Sequence, residues 1–136
     1  MKTVFVFFAL LFLACASPEN RAVSTLSTHY GKSIHLVSLS PCFSNAPDSI
    51  EYQTATAEMR QAFSFADSFV LAGGSLDSSW IGQNKRDARA KYDSTLSRLL
   101  AAPRNPGFSL VRYTVNREPD TLTAVLDPSF RVVWPR

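Results

Sequence analysis

The apolar residues of this chain change their spacing once, near Pro103, and that change limits the folds open to it. Before it, Tyr52, Ala55, Met59, Ala62, Phe63, Ala66, Phe69 and Val70 recur every three or four residues, the spacing of one face of an α-helix. Asp48 and Glu51 form a cap pair at its start, and Gly73-Gly74 end it. A second stripe, Ile81, Ala88, Tyr92, Leu96, Leu99 and Leu100, opens after Asp77, Ser78 or Ser79 and stops before Pro103. The short Gly-Gly-Ser-Leu-Asp-Ser link makes these helices an antiparallel hairpin.

After Pro103 the period is two. Val111, Tyr113 and Val115 alternate with polar residues, then Leu122, Ala124 and Leu126, then Phe130, Val132 and Trp134. Arg117-Glu118-Pro119-Asp120 and Asp127-Pro128-Ser129 supply the turns of a three-strand meander. Upstream, Val23, Leu26 and Tyr30 predict a short helix over 21–30 closed by Gly31. Ser33 to Leu39, with Ile34, Leu36 and Val37, predicts a strand. The expected fold is α+β, with helices packed on one face of a small antiparallel sheet. The expected core joins Met59, Phe63, Ala66 and Val70 to the sheet face carrying Val111, Tyr113 and Val115, and the other aromatics, Phe65 among them, are assigned to core faces.

The first residues belong to a different kind of segment. Lys2 precedes the apolar run VFVFFALLFLA, which is far shorter than the roughly 20 residues of a spanning helix and ends in small residues, as an export signal does. Ala14-Cys15-Ala16 fits two processing routes. Cleavage after Ala16 leaves a soluble secreted chain beginning at Ser17. Cleavage before Cys15 leaves a cysteine for acylation, as in the bacterial lipobox, although Phe12 stands where that box usually has leucine. The expectation is acylation at Cys15, with residues 1–14 a signal peptide, 15–20 a polar tether and 21–136 a single domain.

Composition narrows the chemistry. With 46% hydrophobic residues the chain has the material for a core, and its formal net charge of +3 is too small to imply nucleic acid. Cys42 is left as the one thiol of the folded part, flanked by Pro41 and Phe43, and burial is the expected state. His29 and His35 are the two histidines, so no His-rich metal site and no cofactor is expected. Residues 84–91 form a basic cluster in which Lys85, Arg86, Arg89 and Lys91 are a candidate surface patch. The pairs Asp87–Lys91 and Arg89–Asp93, each four apart, are expected to neutralise part of it.

Ser33 to Leu39, Gly107-Phe108 with Val111 and Tyr113, and Val125-Leu126-Asp127 with Val132 and Val133 resemble matching stretches of small exported bacterial lipoproteins of unknown function. Those proteins have a leader, a strand, a helical pair of variable length, and a C-terminal hairpin entered through Gly-aromatic and closed by Leu-Asp. The resemblance implies that order of elements and no particular activity. Here Arg112 stands before Tyr113 where that group usually has a histidine, and no second glycine follows Gly107.

The expected function is therefore a non-catalytic accessory or binding module of the cell envelope. Its expected partners are a lipid bilayer, through acylated Cys15, and an envelope protein or ligand, with no nucleic acid. A freely secreted binding protein or cystatin-like inhibitor is the alternative, suggested by a helix on an antiparallel sheet and by Trp134-Pro135, without that family's Gln-x-Val-x-Gly loop. A small hydrolase using Cys42 with His35 as base is the enzyme reading.

Overall fold

The computed structural model describes residues 16–77 and 79–135. The elements run α1 (Pro18–Tyr30), β1 (Ile34–Cys42), α2 (Ala46–Leu71), α3 (Trp80–Ala101), β2 (Phe108–Val115), β3 (Leu122–Leu126) and β4 (Val132–Trp134). The four strands form one antiparallel sheet in the order β1-β2-β3-β4. The α+β class follows directly. The described residues fall into two compact units, a sheet unit of α1 and the strands and a hairpin unit from Ser44 to Asn105.

In the sheet unit α1 starts three residues earlier than its stripe indicates. Ser17 accepts a hydrogen bond from Asn20 N at 3.2 Å and Pro18 occupies the first turn, so residues 18–20, expected as tether, are helical. Gly31 closes the helix in the left-handed region, φ 63°, with its N–H on Ser27 O.

The helix over the sheet is α1, which corrects the expected core. Ala22 and Leu26 join Ile34, Val111, Tyr113, Val115, Ala124 and Leu126 in one buried cluster. The stripe at Met59, Phe63, Ala66 and Val70 is not part of it, and Val70 is exposed. The reason is proximity: three residues separate α1 from β1, so the helix folds straight back over the strand it leads into. Tyr30 stacks on Tyr113 with ring centroids 6.0 Å apart, and burial, then the Tyr30 side chain, hold the Tyr113 proton well above the ordinary phenol range.

β1 runs three residues beyond its expected end, and its irregular pattern is explained by a bulge. Leu36 pairs with Tyr113 and Ser38 with Arg112, leaving Val37 unpaired and exposed, so Leu39 returns to the inner face opposite Val111. In the β2–β3 turn, Asn116 and Arg117 both have positive φ, and Glu118 N donates to Val115 O at 2.8 Å. In the β3–β4 turn, Asp127 accepts from Ser129 N, Arg131 N and Arg131 Nε at 2.8–2.9 Å.

The hairpin unit pairs α2 with α3. Its buried positions are small and recur at heptad spacing: Ala55 and Ala62, then Ala66, on α2, and Ile81 and Thr95 on α3 with half-buried Ala88 between them. Cross-helix ion pairs follow the same spacing, Glu51–Arg98 at 2.7 Å and Glu58–Lys91 at 2.6 Å, with Asp67–Lys85 at 3.8 Å. Of the expected stripe, Leu100 is 78% exposed. The Asp48–Glu51 cap pair is replaced by a start at Ala46-Pro47, and Asn45 makes no side-chain cap bond. For α3, Ser79 is the cap, accepting from Gly82 N at 3.1 Å, while Ser78 lies outside the described residues. The two ends of the unit are clasped: Ser44 N donates to Asn105 O, Ser44 Oγ to Pro103 O, and Asn105 N to Ser44 Oγ.

Gly82 is required by that cap. A Cβ there would lie 2.0 Å from Leu76 O. Gly82→Ala should therefore lower stability by about 1–3 kcal/mol, although alanine is the better helix former; a neutral or stabilising effect in thermal unfolding would show that the link can shift.

Asp127 gives a pH dependence. Burial raises its pKa, but the bonds from Arg131 N–H, the Arg131 guanidinium and Ser129 N–H outweigh this and leave it below the ordinary value. A depressed folded-state pKa means that the stabilisation is complete above the unfolded-state pKa and is lost as pH falls through the folded one. Asp127→Asn should cost about 1–2 kcal/mol at pH 7, and its difference from wild type in denaturant unfolding should shrink as pH falls from about 5 to about 2.

Candidate functional site

On the hairpin unit two rows of side chains face each other across the small-residue seam. Glu58, Gln61 and Phe65 stand at i, i+3 and i+7 on α2, and Trp80, Asn84, Asp87 and Lys91 at i, i+4, i+7 and i+11 on α3. Because the helices are antiparallel, Glu58 meets Lys91 and Phe65 meets Trp80. Ala62 and Ala88 lie between the rows. Their short side chains leave a groove of about 520 Å³, within the about 300–1,000 Å³ of ordinary ligand sites.

The ends of the groove differ in chemistry. At one end Lys91 Nζ donates to Glu58 Oε2. At the other, Trp80 is 69% exposed and Phe65 52%, with ring centroids 5.9 Å apart and planes tilted by 38°. So much exposed aromatic surface in adjacent residues is uncommon on a helix packed for stability alone. Assigning Phe65 to the core is thus corrected. It stands three positions after buried Ala62 but on the outer edge of that face.

Three of the four cations of the basic cluster, Lys85, Arg89 and Lys91, face carboxylates, and Arg86 bonds a neutral amide. Lys85 pairs with Asp67 and lies 4.5 Å from the centroid of the Phe63 ring. Arg86 donates to Gln83 Oε1 at 2.9 Å, and Arg89 pairs with Asp93 at 3.1 Å as expected. The expected Asp87–Lys91 pair is replaced, since Lys91 reaches across to Glu58 and Asp87 accepts from Gln83 Nε2 at 2.6 Å. A nearby phenol pair, Tyr52 and Tyr92, has hydroxyls 3.1 Å apart, and that bond to Tyr52 holds the Tyr92 proton above its usual range.

Cys15 and the leader lie outside the described residues. Among the described residues no helix is long and apolar enough to cross a membrane, and no three His, Cys, Asp or Glu side chains gather as a metal site. Cys42 and His35 are not brought together. They stand at opposite ends of β1, Cys42 opposite Phe108 and His35 opposite Thr114, about 23 Å apart along an extended strand.

Cys42 is half-buried, less covered than expected because Pro41 and Phe43 are both exposed. Burial still pushes its thiol up. Labelling by a maleimide at pH 7.5 should be slower than for free cysteine, should speed up as pH rises, and should be unchanged by His35→Ala; a rate above that of free cysteine and flat with pH would show an activated thiolate.

The chain matches no protein-family model, no curated protein and no solved structure.

Proposed function

We propose that this chain is a non-catalytic binding module of the cell envelope, exported by residues 1–14 and held at a membrane by acyl chains on Cys15. The observation that carries the binding role is the Phe65–Trp80 surface at the head of an open groove, aromatic area held out to solvent on a two-helix support. The anchoring role is supported by the order Lys2, apolar run, Ala14-Cys15. Ser17 caps α1, so one residue separates Cys15 from folded structure, and the lipid would hold the sheet unit close to the bilayer without a long tether. One acyl chain binds a membrane marginally, whereas a diacylglycerol with an amide-linked chain anchors stably.

Intact mass of the mature protein tests this directly. The expected chain begins at Cys15 and carries lipid, the protein fractionates with membranes, and Cys15→Ser abolishes lipid labelling and releases it. A mature chain beginning at Ser17 without lipid would make this a freely secreted protein.

A further inference from the structure

The middle of the hairpin groove holds polar groups with spare hydrogen-bonding capacity. Among the described residues the Gln61 and Asn84 side-chain amides make no hydrogen bond, and Asp87 accepts from Gln83 through Oδ1 with Oδ2 unused. These groups offer donors and acceptors together, beside an aromatic surface and before an internally neutralised ion pair.

That combination narrows the ligand classes. Phe65 and Trp80 stand with ring centroids 5.9 Å apart and planes tilted by 38°, and a cation over one ring face is the competing chemistry that trilysine tests below. Anionic ligands, including nucleotides, meet the carboxylate of Asp87 in the same groove, where Lys91 is already held by Glu58. A wholly apolar ligand would cover the amides of Gln61 and Asn84 and leave them unsatisfied, at a cost in affinity. What fits is an uncharged molecule with a flat C–H face to lie on the rings and a rim of hydroxyls that both donate and accept.

We infer that this groove binds a neutral saccharide, with one sugar ring stacked on the Phe65–Trp80 surface and adjacent hydroxyls bonded by Gln61, Asn84 and Asp87. In this arrangement a sugar hydroxyl donates to Asp87 Oδ2, and the amide N–H groups donate to sugar oxygens. Phe65 and Glu58 are seven residues apart on α2, about 10 Å along the axis, which is room for about two sugar rings before the Glu58–Lys91 pair closes the groove. The inference rests on the binding role proposed above and not on the lipid anchor.

Isothermal titration calorimetry of the purified mature chain tests it, with tetrasaccharides of glucose and of N-acetylglucosamine as probes and trilysine and adenosine as competing chemistries. At least one neutral tetrasaccharide should give a saturable heat response. Trp80→Ala should abolish the response or weaken it by about tenfold or more, Trp80→Tyr should retain part of the affinity, and Trp134→Phe should leave it intact. Gln61→Ala and Asn84→Ala should each weaken binding with the fold unchanged by circular dichroism. The inference is overturned if neither tetrasaccharide responds, if the response survives Trp80→Ala, or if trilysine or adenosine binds more tightly than both sugars. A chain without lipid that binds sugar removes the anchor alone; a lipidated chain that binds none removes this inference alone.

Discussion

The antiparallel pairing of β1 with β2 dictates the form of everything inserted between them. Cys42 lies opposite Phe108, so the chain that leaves β1 must come back to the neighbouring strand, roughly 4.8 Å away. A flexible insertion of that length would carry the entropy of closing a long loop. Two antiparallel helices remove the difficulty. At 26 and 22 residues they rise about 39 and 33 Å, so the second returns the chain nearly to where the first began. The mutual bonds of Ser44 with Pro103 and Asn105 fix the two ends together.

Within the hairpin unit the two helices pack on each other, and alanine at Ala55, Ala62 and Ala66 lies along the buried side of α2. Short side chains let the helices approach closely and bring long charged residues within reach across the seam, hence Glu51–Arg98 and Glu58–Lys91 in heptad register. Each pair is solvent-exposed and worth about 0–1 kcal/mol, so they set alignment more than stability. The sheet unit uses larger residues. Leu26, Val111 and Leu126 are fully buried there, each contributing about 1.5–3 kcal/mol of transfer free energy. The two units therefore owe their stability to different kinds of packing.

Helical and strand periods were readable because each depends on local geometry alone. The αL cap at Gly31 and the turn role of Asp127 could be read for the same reason, and the α3 cap could be narrowed to Asp77, Ser78 or Ser79, of which Ser79 serves. The partner of each apolar face was not readable, since periodicity shows that a helix has such a face and not what covers it. The composition of the α2 face held the missing signal: alanines are too shallow to fill a sheet's inner surface but suit a second helix at close range. The start of α1 was misplaced because Glu19 and Asn20 look like tether in a hydropathy reading, although Ser17-Pro18 is a cap and first-turn pair. Phe65 and Trp80 are not marked out by the helical stripes. The heptad Ile81, Ala88, Thr95 puts Trp80 one position off the seam, and Ala55, Ala62 leaves Phe65 at its edge.

The same register explains why the residues that look most like a binding patch are not the ones the geometry offers. Lys85, Arg89 and Lys91 face carboxylates at Asp67, Asp93 and Glu58, so the field of the basic cluster is largely cancelled within a few ångströms. A charged ligand approaching that surface would have to displace a partner already in place. Phe65 and Trp80 contact each other and keep 52% and 69% of their surface exposed at the rim of the groove. A seam narrow enough to align the helices thus leaves large aromatic side chains at its rim, and closing the hairpin and presenting the groove are consequences of one choice of residue size.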